Sequence, residues 1–207
     1  MKCHAEKKLA VDRLNDAYKT VGKTIIAYLD ASAGCVINEL RGHSKKRLQA
    51  MYDITKNTLD GMIDFYGDNN DDTRDRTETS LYAMMRELQE CGFNFAEVTQ
   101  QFPVDDPFLK LWHPERERGK HKRRLDFIND MELIAQTYHI TILTYFRREH
   151  RYGSLRLYSL YQALREDYNL MLAEYLRCTS AGDMKIQTMI EERQNRLEKI
   201  GLTLVEV

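Results

Sequence analysis

All three prolines of this chain, Pro103, Pro107 and Pro114, fall in one stretch, PVDDPFLKLWHPERERGKHKRR over 103–124. A proline inside a helix removes a backbone hydrogen bond and clashes with the preceding turn, at a cost of about 3 kcal/mol. Elsewhere the chain is therefore free to run as long helices, and two segments do so with a heptad seam. Leu14, Tyr18, Val21, Ile25, Tyr28, Ser32 and Cys35 step by alternating fours and threes, as do Leu157, Tyr161, Leu164, Tyr168, Met171, Tyr175 and Cys178. The expected fold is all-α: long amphipathic helices in a bundle, with a Pro-rich elbow near 103–114 and an extended C-terminal tail, LTLVEV.

The first seam predicts a helix over 5–40, packed as an antiparallel core helix within the monomer rather than as an intermolecular coiled coil. The small run Ala31-Ser32-Ala33-Gly34 inside it marks either a close helix approach or a break. Arg41-Gly42-His43-Ser44 reads as a turn with Ser44 as N-cap of a helix over 44–67. A polar loop follows, then shorter helices over 77–101: one to Cys91, closed by Gly92, and one over 95–101, announced by Asn94, Glu97 and the Phe93/Val98 staple. These make an N-terminal helical layer, 1–102. Trp112, the only tryptophan, is expected to pack at the elbow. The C-terminal layer, 103–207, holds helices over 122–147, 154–178 and 184–200, with Gly153 as a turn, Asp183 as a cap and Gly201 as a stop. The two layers are expected to form one compact unit. Ile140 to Tyr145 is β-rich in propensity, but a helix of that length overrides so short a preference.

Apolar residues make up 43% of the 207, enough to bury a core. Net charge is −1 but unevenly spread: −2 over 1–102, +3 over 103–157 and −2 over 158–207. Cys3, Cys35, Cys91 and Cys178 show no metal or disulfide spacing, which suggests reduced thiols. No apolar run reaches the roughly 18–20 residues of a membrane span, and the first residues lack the apolar centre of a signal peptide. The expectation is a protein without membrane contact, in the cytoplasm or inside a virion.

No complete catalytic set is present. Val21-Gly-Lys-Thr24 resembles the end of a phosphate loop, but Ala17 stands where its first glycine belongs. Asp68, Asn70 and Asp72 alternate as in a calcium loop, yet Thr73 and Thr79 replace the required glycine and glutamate. No metal and no cofactor are expected. Basic clusters remain at Arg41–Arg47, Arg116–Arg124 and Arg147–Arg156. If a helix begins near Lys122, Lys120, Lys122, Arg123 and Arg124 crowd its positive end, a misfit that a bound phosphate would relieve. Candidate nucleic-acid-binding residues are Arg116, Arg118, Lys120, Lys122, Arg123, Arg124, Arg147, Arg148 and Arg151.

The expected function is thus a non-enzymatic helical interaction or assembly protein whose basic centre contacts nucleic acid or a nucleic-acid-containing complex. One alternative is a purely structural adaptor of a virion or secretion type, self-associating through its seams and tail. Another rests on spacing: Arg116-x-x-x-x-His121 is similar to the arginine/histidine pair of HEPN-type ribonucleases, small all-α domains that cleave RNA without metal. That resemblance implies His121 as general acid or base and Arg116 as phosphate holder. Glu117 departs from the Asn, Asp or His usual at its position.

Overall fold

The computed structural model describes residues 23–67, 83–94, 122–176 and 180–204. They form six helices, with no strand among the described residues: α1 (Lys23–Arg41), α2 (Lys45–Gly67), α3 (83–90), α4 (Lys122–His150), α5 (Ser154–Leu176) and α6 (Ser180–Lys199). The expected elbow at 103–114, Trp112, the loop after Gly67 and the helix over 95–101 lie outside the described residues, as do 1–22. Both seams hold where they are described: Ile25, Tyr28, Ser32 and Cys35 are buried on α1, and Leu157, Tyr161, Leu164, Tyr168 and Met171 on α5. The described part of each seam is filled by this chain's own helices.

α1 is the central helix, packing against α2, α4, α5 and α6. Its small residues explain how. Ala31, Ser32, Ala33 and Gly34 are all buried, and the helix continues through them without a break. A Cβ at Gly34 would overlap the Tyr52 hydroxyl oxygen of α2 and come within 2.9 Å of Leu197 Cδ2 of α6. The Tyr52 hydroxyl reaches past Gly34 to donate to the Asp30 carbonyl at 2.6 Å, and Tyr138 of α4 donates to the Asp30 carboxylate. Close approach, not interruption, is therefore what the small run provides.

Side chains from both sequence layers share one apolar core. The β-rich run on α4 is helical and buried from Ile140 to Tyr145. Its threonines tolerate burial because Thr141 and Thr144 donate to the carbonyls of Thr137 and Ile140, four residues back, at 2.9 and 2.8 Å. At Gly201 (φ +80°) the chain leaves α6 through paired bonds, Leu202 N–H to Leu197 C=O and Gly201 N–H to Glu198 C=O. This cap sets Leu202 beside Leu197, both buried. The start of the tail thus docks on the chain's own core, and Leu204 packs there too; residues 205–207 lie outside the described part.

Some expected boundaries need correcting. α6 begins at Ser180, so Asp183 falls in its first turn rather than at its cap. Gly153 lies in the turn between α4 and α5 as expected, and the left-handed residue of that turn is Arg151 (φ +52°). Gly153 offers its carbonyl to the N–H groups of Arg156 and Leu157, opening α5.

Two charged pairs cross the core. Arg165 of α5 and Glu132 of α4 form a bidentate pair at 2.6 and 2.9 Å, each side chain only 1% exposed. Burial works against the Arg165 charge, but the Glu132 carboxylate outweighs it and the net shift is upward. Arg193 of α6 binds Asp167 of α5 at 3.1 and 2.6 Å, and the Tyr28 hydroxyl donates to the same carboxylate at 2.9 Å. That second set ties α1, α5 and α6 together.

His139 sits beside the first pair, edge-on to Tyr161 and Tyr168. Burial, then the Arg165 charge, pushes its imidazole down to about 3. The unfolded chain takes up this proton near pH 6.5, whereas the folded chain does not until about pH 3. Stability from His139 is therefore fully present above about pH 6.5 and lost progressively as pH falls toward 3, on the order of a few kcal/mol in total. In urea unfolding at stepped pH, His139→Leu is expected to flatten the loss of stability over that window relative to the unsubstituted protein. Parallel pH curves for the two proteins would contradict the assignment.

Candidate anion-binding site at one end of the bundle

The turn after α1 and the turn after α4 meet at the same end. α1 closes at Gly42 (φ +58°), whose N–H bonds the Asn38 carbonyl at 2.7 Å. Glycine takes this left-handed position without the Cβ penalty other residues meet. The Asn38 side-chain amide then holds the His43 carbonyl at 3.1 Å, and the Ser44 carbonyl accepts the Leu48 N–H that starts α2. His43 is left in a three-residue turn with its ring directed into the bundle, 5% exposed. There it meets Phe146 and His150 of α4 with ring centroids 5.4 and 5.3 Å apart, and its Nε2 lies 3.3 Å from the Tyr152 hydroxyl.

At the second turn Arg151 adopts its left-handed conformation and the Tyr152 N–H returns to the Phe146 carbonyl at 3.2 Å. This folds the Tyr152 ring inward against Phe146, centroids 5.1 Å apart. Two guanidiniums lie over that ring, Arg41 from the end of α1 at 5.8 Å and Arg156 from α5 at 5.6 Å. Arg41, His43, Arg47, His150, Tyr152 and Arg156 together line a pocket of about 390 Å³.

The pocket is electrostatically incomplete. Among the described residues, Arg41, Arg47 and Arg156 form no ion pair, although Arg148, Arg165 and Arg193 each do. The His43 Nδ1 and His150 Nε2 atoms are buried without a hydrogen-bond partner. Both imidazoles are held below their ordinary pKa: His43 by burial, then by His150, Arg47 and Arg41, and His150 by burial and Arg47, with Glu149 opposing. Three cations without a carboxylate, beside two neutral imidazoles, are a complement to an anion.

The expected site residues fare differently. Arg116, Arg118, Lys120 and His121 lie outside the described residues. Lys122, Arg123 and Arg124 occupy the first turn of α4, where only the backbone is described. Arg147 is half-buried and donates to the Tyr152 carbonyl at 3.4 Å, a structural use at the rim of the pocket. Arg148 donates through Nε and Nη2 to a single carboxylate oxygen of Glu87, in the segment 83–90, at 2.9 and 2.7 Å, so its charge is already matched. Arg151 is exposed at the turn. The clusters Arg41–Arg47 and Arg147–Arg156 do share one end of the molecule. The residues that line the pocket, however, are Arg41, Arg47 and Arg156 with two histidines and a tyrosine, none of them in the expected set. Their sequence signal is position: a basic residue and a histidine flank each of two helix junctions.

No group of three or more histidine, cysteine or acidic side chains able to hold a metal ion occurs among the described residues. Cys35 and Cys91 are free thiols. No described helix is long and apolar enough to cross a membrane. No protein-family model, no curated protein and no solved structure matches the chain.

Proposed function

We propose that this protein is a non-enzymatic helical interaction protein that contacts nucleic acid through the basic end of its bundle. The observation that carries this reading is the convergence of Arg41, Arg47 and Arg156, none of them ion-paired among the described residues, around one pocket. Guanidinium groups suit phosphate because they are always charged, present paired donors and shed water more readily than ammonium. Stacking on Tyr152 sets two of them in place before a ligand arrives, which lowers the ordering cost of binding. Lys45 and Lys46 of the same basic cluster are exposed at the start of α2.

Assembly through the seams is the less favoured reading, because the described seam residues are covered by this chain's own helices. Fluorescence anisotropy with labelled single-stranded RNA and DNA at low salt tests the proposal. The expected result is binding that weakens at least tenfold in the Arg41→Ser/Arg47→Ser/Arg156→Ser variant, since three exposed arginines can be removed without disturbing the core. No binding of either strand at low salt would end the reading.

A further inference from the structure

We propose that the pocket lined by Arg41, His43, Arg47, His150, Tyr152 and Arg156 takes a phosphate monoester dianion, the chemistry of a phosphorylated strand end, rather than the phosphodiesters of a strand's interior. This rests on the reading of the basic end as an anion-binding surface and adds which phosphate it selects.

Size is the first argument. At about 390 Å³ the pocket lies near the lower end of the roughly 300–1,000 Å³ typical of small-ligand sites. That volume suits one phosphate with the sugar attached to it. Charge is the second. The three guanidiniums come from three different helices, the end of α1, α2 and α5, and all line the one pocket. A monoester presents three terminal oxygens and two negative charges to them. A diester presents two free oxygens and one charge while displacing the same water.

The histidines supply the third argument. His43 is 5% exposed with Nδ1 unpartnered, and His150 Nε2 is likewise buried and unpartnered. The charged and titratable groups around them are Arg41 from α1, Arg47 from α2, Glu149 and Tyr145 from α4, Tyr152 from the turn after α4, and Arg156 from α5. Burial, then the neighbouring arginine charges, disfavour imidazolium here. A bound dianion reverses the local field, so one or both imidazoles gain a proton as it binds. A monoanion would compensate the arginines only in part and draw fewer protons.

Isothermal titration calorimetry on the full chain tests this, using one single-stranded oligonucleotide with a 5′-phosphate, the same strand with a 5′-hydroxyl, inorganic phosphate alone, and sulfate. The phosphorylated strand is expected to bind about tenfold or more tightly than the hydroxyl strand. That ratio should fall to near one in Arg47→Ser/Arg156→Ser, both exposed positions, and inorganic phosphate should compete for the gain. Sulfate stays a dianion throughout, so its affinity should rise severalfold as pH falls from about 8 to about 6, following the ordinary histidine range. His150→Gln, at a half-buried position, should diminish that rise. Equal binding of the two strands, with neither phosphate nor sulfate bound, would overturn the monoester site and leave the nucleic-acid surface standing. Binding of inorganic phosphate that depends on Arg47 and Arg156, with neither strand bound, would keep the monoester site, assign it to a small free ligand and end the nucleic-acid reading.

Discussion

Replacing Glu132 with glutamine is expected to destabilise the protein by about 3–5 kcal/mol, because it leaves the Arg165 guanidinium buried without a counter-charge. The pair joins the middle of α4 to the middle of α5, and both side chains are only 1% exposed, so water cannot reach in to compensate. Total stabilities of about 5–15 kcal/mol make this a large fraction of what holds the fold. At roughly 2–4 °C per kcal/mol for a chain of this size, the midpoint of thermal unfolding should drop on the order of 10 °C. Arg165→Met alone should cost a similar amount, by stranding the carboxylate. The double substitution Glu132→Leu/Arg165→Met should recover most of the loss, since well-packed apolar residues often equal or exceed a buried ion pair. Urea denaturation followed by circular dichroism measures all three. Additive losses in the double variant would mean that the two charges are not compensating each other.

The second large effect falls at Gly34. In an exposed helix, glycine to alanine stabilises by about 1 kcal/mol. Here the added methyl group would meet the Tyr52 hydroxyl and Leu197, so overpacking of about 1–3 kcal/mol opposes it. Displacing Tyr52 also loses its bond to the Asp30 carbonyl, worth about 1 kcal/mol. Gly34→Ala is therefore expected to destabilise by about 2 kcal/mol. Tyr52→Phe removes the oxygen in the way, so in that background the same substitution should cost at least about 1 kcal/mol less. A stabilising Gly34→Ala would show that α1 and α2 do not pack closely at this point.

The bundle itself was legible because its signals are local and periodic. The steps through Ile25, Tyr28, Ser32 and Cys35, and through Leu157 to Met171, mark the buried faces directly. The small run Ala31–Gly34 could not be resolved by periodicity, since a close approach and a break use the same residues; only the position of Tyr52 decides between them. The buried charges were hidden for a related reason. Glu132 and Arg165 lie 33 residues apart on different helices, and each by itself resembles a residue of a solvated face. The pocket follows the same rule. Arg41–Arg47 and Arg147–Arg156 are visible as separate basic clusters, but their union depends on two turns meeting at one end. His43, in a polar turn, reads as a surface residue until Phe146, His150 and Tyr152 are seen to surround it.

The salt dependence of single-stranded nucleic-acid binding tests the central claim most directly. Each phosphate neutralised contributes about −0.7 to the slope of log K against log salt. The unsubstituted chain should bind with a slope that becomes shallower by about 2 when Arg41, Arg47 and Arg156 are all changed to serine. Lys122→Ser/Arg123→Ser/Arg124→Ser serves as the comparison, and its slope should change less. An unchanged slope in the first variant, with the loss appearing in the second instead, would contradict the placement of the binding surface at the end of the bundle.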